Sequence, residues 1–276
     1  MNFSIKNNVF AEPELSKNTM RFRAIQRIML WNYLSGRIPL YLVSEFPKSG
    51  ATWYSKMLSE CIDVPFPKSL SKPKLQKMIL RDTKLYSSKY KNISVVMRDG
   101  RDIMISSYYH FLFPNEVNLQ FGIDEKRKIL GFKDYEDIEH NLPKFIEYMF
   151  EIYPTQGWGT RFNWAQFVDS WADKNTPIVK YEDLLQSPEE EMKRMVFELT
   201  GTVLSDDKAS AVVSKYSFKN ITGRKQGEFA KNSFARKGIA GDWKNHFNNQ
   251  SVKIFKQYAS NQLIKMAYET DDSWTV

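Results

Sequence analysis

The segment that most constrains the fold is a change of pattern between residues 39 and 62. Residues 39–46 form a short apolar run that is stopped by Pro47, which predicts a buried strand. From Gly50 to Ile62 the apolar side chains recur at helical spacing. A strand that passes through a tight turn into a helix is the unit from which parallel sheets are built. We therefore expect a parallel β-sheet.

The strand-to-helix unit recurs farther along the chain. Residues 93–97 predict a second buried strand, and residues 102–111 predict the helix that follows it. Residues 164–171 predict a helix that leads into a strand over residues 176–181. Strands and helices that alternate in this way indicate an α/β fold with a central parallel sheet flanked by helices on both faces.

Two later helices carry clear boundaries. Ser187 as a cap, Pro188 at the first helical position and Glu190 predict a helix start, and Gly201 suits its end. The apolar side chains of residues 251–268 predict the last helix. Helical spacing near the N-terminus, over residues 21–35, predicts one more helix.

The length of 276 residues suits one α/β domain, and we expect residues 1–276 to form a single domain. Residues 113–163 interrupt the alternation of strands and helices, because they are rich in aromatic residues, prolines and charges. We expect this segment to be an inserted cover on the substrate side and not a second domain.

Composition excludes several classes of protein. The hydrophobic fraction of 42% and the charged fraction of 26% exclude a disordered or collagen-like chain. Cys61 is the single cysteine, which excludes an intramolecular disulfide framework and a cysteine-only zinc site. The three histidines, at positions 110, 140 and 246, show no metal-ligand spacing, so no metal is expected.

Charge and hydropathy bear on location and partners. No segment approaches the roughly 18 unbroken apolar residues that a membrane span needs, and the N-terminus lacks a signal pattern. We expect a cytoplasmic chain without a membrane span. The net charge of +8 favours anionic partners, but the basic residues are dispersed and no nucleic-acid-reading motif is present. A nucleic-acid partner is therefore not expected.

A candidate phosphate-binding turn lies at the first strand-to-helix junction, residues 46–53. The start of a helix offers backbone N–H groups without intrahelical partners and the positive end of the helix dipole. Gly50 leaves room for a phosphate, and Lys48 adds a mobile positive charge beside the bound oxygens. The turn is not a Walker loop, because Lys48 precedes the glycine. The chain also shows no obvious acidic magnesium ligand at a strand end, which weakens a kinase or ATPase interpretation.

Three segments, in their order along the chain, resemble the nucleotide-binding motifs of sulfotransferases that use 3′-phosphoadenosine-5′-phosphosulfate. Residues 46–53 resemble the loop that binds the 5′-phosphosulfate, with Ala51 where threonine is usual. Residues 97–111 are similar to the 3′-phosphate segment, and residues 236–245 are similar to the C-terminal loop that closes on the nucleotide. The chain is identified as a divergent member of this family, of the cytosolic type. The resemblance implies a P-loop-like nucleotide-binding architecture.

The resemblance also implies which residues bind the nucleotide. It assigns the 5′-phosphosulfate to the turn and the first helical residues, namely Lys48, Ser49, Gly50, Ala51, Thr52 and Trp53. It assigns the 3′-phosphate to a strand end, the next helix and the C-terminal loop, namely Arg98, Ser106, Arg236, Lys237 and Gly238. The flat surfaces for adenine are implied to be Trp53, Tyr181 and Phe218.

The chemistry that follows from the resemblance is an in-line displacement at sulfur. An acceptor hydroxyl attacks, and negative charge builds on the oxygen that bridges to the departing 3′,5′-bisphosphate. Lys48 would neutralise that oxygen. The co-substrate is 3′-phosphoadenosine-5′-phosphosulfate, and no metal or second cofactor is required. The expected function is O-sulfotransfer to a small-molecule, glycan or lipid hydroxyl, with the acceptor and the oligomeric state left open.

The sequence departs from the family at the general base. Members of the cytosolic type usually carry a Lys-x-His pattern upstream of the 3′-phosphate strand, where this chain has Arg81, Asp82 and Thr83. Threonine cannot act as a base near neutral pH. If this stretch is a strand, Arg81 and Thr83 share one face and Asp82 points away.

Several explanations of the missing base stay open. Asp82 reaches the acceptor if the strand ends there and the backbone turns, or His110 acts from the 3′-phosphate segment. The base could instead come from the insert, in which Glu116, Asp124 and His140 are the candidates. The alternative function is a nucleotide-binding protein with degenerate catalysis, which would bind the nucleotide without transfer.

Overall fold

The computed structural model describes residue 22, residues 25–26 and 29–34, and residues 40–66, 77–118, 120–157 and 159–276. In the predicted helix over residues 21–35, residues 21, 23–24, 27–28 and 35 lie outside the described residues, and its described end is a π-helical turn, Leu30–Leu34. The described residues form two compact units. We call the described residues within 1–45, 50–97 and 175–226 the sheet unit, and those within 46–49, 98–174 and 227–276 the helical unit.

The sheet unit contains four parallel strands in the order β2-β1-β3-β4. They are β1 (Leu40–Glu45), β2 (Met78–Asp82), β3 (Ile93–Met97) and β4 (Ile178–Lys180). Every residue of β3 and most of β1 are buried, as is typical of parallel strands that are covered on both faces. The register pairs Val43 with Arg81 and Ser44 with Asp82, so neighbouring side chains at the end of β2 point to opposite faces.

The helices of the described residues are, in chain order, α1 (Ala51–Cys61), α2 (Gly100–Leu112), α3 (Gln120–Leu130), α4 (Ile138–Glu147), α5 (Trp164–Trp171), α6 (Tyr181–Gln186), α7 (Pro188–Thr200), α8 (Asp206–Lys215), α9 (Phe218–Thr222) and α10 (Asn249–Lys265). No helix in this part of the chain has the length and apolar character needed to cross a bilayer.

The core of the sheet unit lies on one face of the sheet. Val43, Ile79 and Val96 from the strands pack against buried side chains of α1, α7 and α8, such as Tyr54 and Met195. α1 packs on this core through buried side chains, and it begins six residues after β1 ends along the chain. The start of α1 therefore belongs to the sheet unit.

The helical unit is organised around α2. Asp99 caps α2 by accepting a hydrogen bond from the Arg101 backbone N–H at 2.9 Å, which fixes where the helix begins after β3. A capping box at Asn163 starts α5, with the side chains of Asn163 and Gln166 each bonded to the other's backbone N–H. These caps give both helices defined starts.

The predicted strands and helices are present within the described residues, but some bounds differ. The strand predicted over residues 176–181 spans Ile178–Lys180, because Tyr181 begins α6, and the last helix spans Asn249–Lys265 where residues 251–268 were predicted. The strand over residues 93–97 and the helix over residues 164–171 have the predicted bounds. Gly201 ends α7 with a φ of 69°, as its position predicts, although the Ser187 side chain makes no capping hydrogen bond. The α/β class and the parallel sheet are confirmed. A single domain with residues 113–163 as an inserted cover stays a prediction.

Candidate active site

The turn between β1 and α1 presents Lys48 and Ser49. Lys48 has a φ of 73°, and the Ser49 backbone N–H donates to the Phe46 carbonyl at 3.2 Å, which closes the turn. The Ser49 hydroxyl is buried and finds no hydrogen-bond partner among the described residues. A buried hydroxyl without a protein partner is costly unless a ligand supplies one. The turn is therefore suited to an oxygen-rich ligand.

Arg98 is locked beside this turn at the end of β3. Its guanidinium donates to the Lys48 carbonyl at 3.1 Å and to the Ile239 carbonyl at 3.2 Å, and it lies 3.7 Å from the Asp102 carboxylate. The side chain is 10% exposed, so a nearly buried cation is held in one orientation. The ion pair with Asp102 confirms that Arg98 has a structural partner in addition to any ligand.

The C-terminal loop is arranged around the buried carboxylate of Asp242. Arg236 and Lys237 both donate to it, at 2.5 and 2.6 Å, and the Asn245 amide donates at 3.0 Å. Burial alone would raise the pKa of Asp242, but His246, Lys237 and Arg236 outweigh burial and hold that pKa well below its usual range. Asp242 therefore stays ionised and fixes two cations that the sequence predicted for the 3′-phosphate.

Asp102 fastens the same loop to α2. Its carboxylate accepts the backbone N–H groups of Gly241 and Trp243, at 2.7 and 2.9 Å. Burial raises the pKa of Asp102, while Arg98 and the two amides oppose the rise. The four basic side chains of this region, which we call the cationic cluster, are Lys48, Arg98, Arg236 and Lys237.

α2 adds Ser106, which lies eight residues after Arg98 and is half-buried, and His110 near its end. The His110 Nδ1 is buried with no hydrogen-bond partner within the described residues. Burial, together with the charges of Lys48 and Lys126, holds the pKa of His110 well below 6.5. The imidazole is therefore neutral at pH 7, as a general base must be.

Phe234 connects His110 and Lys48, a contact that the sequence did not predict. The Lys48 Nζ lies 3.8 Å from the centroid of the Phe234 ring, and the same ring packs edge-on against His110 with 5.6 Å between centroids. The Phe234 backbone N–H donates to the Glu116 carboxylate at 2.6 Å. Glu116, one of the predicted bases, thus anchors the loop that carries Phe234.

The other two insert candidates have local partners at exposed positions. Asp124 accepts a hydrogen bond from Gln120 on the same helix at 2.9 Å. His140 contacts Asp137 at 2.8 Å, and this contact raises the pKa of His140. Neither side chain has a recorded contact with a residue of the cationic cluster, within the residues that the structure describes.

A second group of predicted site residues lies at the start of α1, in the sheet unit. Gly50 has a φ of 91°, and a Cβ there would lie 2.6 Å from the Tyr181 ring, so both backbone and packing require glycine. The Ala51 backbone N–H donates to the buried Glu45 carboxylate at 3.3 Å. Thr52 is half-buried. Glu45 is a site residue that sequence reasoning missed.

The predicted adenine residues also lie in the sheet unit. The rings of Trp53 and Tyr181 meet edge to face, with 6.1 Å between centroids, and the Trp53 indole donates to the Tyr216 carbonyl at 2.8 Å. Phe218 begins α9 and is half-buried, with the Arg224 guanidinium 5.1 Å from its ring centroid. Trp53 and Tyr181 are thus brought together, and no ring contact joins Phe218 to them in the described part of the chain.

Arg81 and Asp82, which stand where the family usually has the first part of its Lys-x-His pattern, are the last two residues of β2. The strand stops at Asp82, and the Thr83 N–H donates to the Asp82 carboxylate at 2.9 Å. Asp82 lies 3.4 Å from Lys84, and Arg81 forms an ion pair with Glu45 on β1. Arg81 and Asp82 point to opposite faces, as the strand period predicts.

A family model described as "Sulfotransferase domain" matches residues 80–267. Sulfotransferase 6B1 of Danio rerio is 30% identical over 183 residues, which cover 63% of this chain and 53% of that protein. Sulfotransferase 1B1 of Mus musculus is 25% identical over 261 residues, covering 78% of this chain and 79% of that protein.

Two solved structures are similar in fold. Mouse sulfotransferase SULT7A1 complexed with PAP has a TM-score of 0.59 and 17% identity, covering 86% of this chain and 89% of that one. Retinol dehydratase in complex with androsterone and PAP has a TM-score of 0.57 and 16% identity, covering 88% and 85%. At these identities the similarity establishes the fold.

Proposed function

The chain belongs to the sulfotransferase family, and from this premise we propose that it transfers a sulfuryl group from 3′-phosphoadenosine-5′-phosphosulfate to a hydroxyl acceptor. The observation that carries the proposal is the cationic cluster. The side chains of Arg98, Arg236 and Lys237 are held by Asp102, Asp242 and backbone carbonyls, so they are ordered before a ligand arrives. The Lys48 Nζ lies against the Phe234 ring. Preorganised cations suit a ligand that carries several negative charges.

The 3′-phosphate is assigned to Arg98, Arg236 and Lys237, together with the Ser106 hydroxyl and the Gly238 backbone. Two guanidinium groups and an ammonium group can bind a phosphate dianion from several sides. Asp242 supports this role because it holds Arg236 and Lys237 on one carboxylate. A phosphate that binds there would share these cations with Asp242 and would not need to order them.

By resemblance, the 5′ end of the nucleotide is assigned to Lys48, to the start of α1, and to Ser49, whose hydroxyl has no hydrogen-bond partner within the described residues. The first amides of a helix have no intrahelical acceptor and favour an anion. Gly50, Ala51 and Thr52 would contribute such amides, whereas the Trp53 N–H donates to the Gly50 carbonyl at 3.0 Å. The adenine ring is assigned by resemblance to Trp53, Tyr181 and Phe218.

The proposed reaction forms one bond to sulfur and breaks another. The acceptor oxygen attacks sulfur, the bond from sulfur to the bridging oxygen breaks, and 3′,5′-bisphosphoadenosine leaves with the electron pair. Lys48 neutralises the charge on the bridging oxygen. The hydroxyl proton passes to a base, which we assign first to His110, because its Nδ1 is unpartnered in the described residues and its imidazole is neutral.

Asp82 is the second candidate for the base. Its support is that β2 ends at Asp82, which is one of the two conditions that the sequence set for it. The acceptor is proposed to be the hydroxyl of a small molecule. Retinol dehydratase has been crystallised with androsterone and with retinol, which supports an apolar alcohol as the first compound class to try.

Calorimetry with 3′,5′-bisphosphoadenosine tests the proposal at its first step. We expect binding with a dissociation constant on the order of tens of micromolar or tighter. Failure to bind would contradict the proposal. A transfer assay with a labelled sulfuryl donor and a panel of alcohols and phenols tests the second step, and binding without transfer to any acceptor would favour degenerate catalysis instead.

A further inference from the structure

Glu45 occupies the anion-binding end of α1 with a side chain of its own. Its Oε2 accepts the Ala51 N–H at 3.3 Å, and its side chain is 6% exposed. The helix has Gly50 as its N-cap, which offers no side chain to accept that amide. Glu45 therefore supplies the negative partner that the first turn of a helix favours.

The other carboxylate oxygen of Glu45 pairs with Arg81. Arg81 lies on β2, and the register places it on the same face of the sheet as Glu45, toward α1. Its side chain is 32% exposed, whereas that of Glu45 is almost fully buried. Arg81 compensates the buried charge of Glu45 and offers the carboxylate a second position that does not depend on the Ala51 amide.

We propose that Glu45 is a built-in competitor of the nucleotide, which lowers the affinity of this chain for 3′,5′-bisphosphoadenosine and speeds its release. The inference rests on the proposed function, which assigns the 5′ end of the nucleotide to the amides that begin α1. A phosphate and a carboxylate cannot accept the same Ala51 hydrogen bond, so Glu45 must withdraw to Arg81 when the nucleotide binds. Even then it stays as a like charge near the ligand.

The decisive variant is Glu45→Gln, which removes the charge and keeps an oxygen that can accept the Ala51 amide. We expect this variant to bind 3′,5′-bisphosphoadenosine about tenfold more tightly than wild type, as the loss of a close like charge predicts. Adenosine 3′-phosphate, which lacks the 5′-phosphate, should bind both proteins equally. If the variant changes the affinity for both ligands, the cause is a general loosening of the fold, and this result would contradict the proposal.

Asp207→Asn is the matched control, because Asp207 is an exposed carboxylate in the first turn of another helix of the sheet unit. It should leave both affinities at the wild-type value. Thermal unfolding of each variant checks that the fold is kept, and Glu45→Ala provides a second removal of the charge if the glutamine variant unfolds.

Arg81→Gln separates an indirect role of Arg81 from direct contact with the ligand. If Arg81 acts by holding Glu45, its loss weakens binding in the wild-type background and has no effect in the Glu45→Gln background. Equal or weaker binding of the nucleotide by Glu45→Gln would overturn the proposal while the proposed function stands. If neither protein binds 3′,5′-bisphosphoadenosine, both the proposal and the proposed function fail.

Discussion

At the start of α1 one buried carboxylate, Glu45, faces one guanidinium, Arg81. In the cationic cluster, by contrast, Asp102 and Asp242 pair with Arg98, Arg236 and Lys237, and Lys48 lies against the Phe234 ring. Both regions were predicted to bind an anionic group of one nucleotide. At the start of α1 the positive and negative charges cancel within the protein, whereas the cationic cluster retains an excess of positive charge. On the proposed function, we therefore expect the 3′-phosphate to supply most of the affinity for the nucleotide.

The difference has a physical cause. Buried charges persist when they are paired, and both regions satisfy that rule with carboxylates. In the cluster each carboxylate serves several donors, so cations exceed anions and a dianionic ligand can complete the balance. At α1 the pairing is one to one, so a ligand must displace an internal partner.

Removal of Lys48 should have the largest effect. We expect Lys48→Ala to lower kcat by about 10³-fold, because a preorganised charge opposite the leaving group contributes that order of rate enhancement. Single-turnover transfer from labelled donor measures the chemical step. Lys133→Ala removes an exposed charge of the same unit and should retain the wild-type rate. A Lys48→Ala variant with an unchanged rate would remove Lys48 from the mechanism.

His110→Gln should lower kcat by about 10²-fold if His110 is the base, since general-base catalysis contributes that order. The folded pKa lies well below 6.5, so the imidazole stays neutral and the wild-type rate should hold between pH 7.5 and 6.5. Below pH 6.5 the unfolded chain binds more protons at this residue, so neutral His110 costs stability there. The Asp82→Asn variant, measured in the same assay, decides between the two candidate bases, because kcat should fall only when the true base is replaced.

Asp242→Asn should weaken 3′,5′-bisphosphoadenosine binding by about tenfold, because Arg236 and Lys237 lose the charge that orders them. The folded pKa of Asp242 is depressed, so its contribution to stability is present above the unfolded pKa of about 3.9 and is lost as pH falls further. The difference in the free energy of unfolding between wild type and Asp242→Asn should therefore be smaller at low pH than at pH 7. Equal affinity in the two proteins would show that Asp242 does not organise the cluster.

Local patterns predicted the framework of both regions. β1, α1, β3 and α5 each follow from a continuous run of side chains and its flanking turn residues, so one stretch of sequence contains the required information. The spacing of Arg98 and Asp102, four residues apart at a helix start, also signals their ion pair.

Contacts between distant segments were not predictable in the same way. The Arg81–Glu45 pair depends on strand order and register, and the contact of Phe234 with Lys48 joins residues that lie far apart in the chain. A glutamate at the end of a buried strand, directly before the turn, was the one available signal for Glu45. Charge balance therefore emerged only from the structure.

Phe234→Leu should have the smallest effect on kcat. It tests a single contact of the cationic cluster, that between the Phe234 ring and Lys48. The ring lies 3.8 Å from the Lys48 ammonium, and a cation–π contact at a half-exposed site is worth about 0.5–1 kcal/mol, or roughly two- to fivefold in rate. We expect kcat to fall by that factor with nucleotide affinity nearly unchanged, and Phe234→Tyr to restore it because the ring is kept. If leucine and tyrosine behave alike, the ring does not position Lys48.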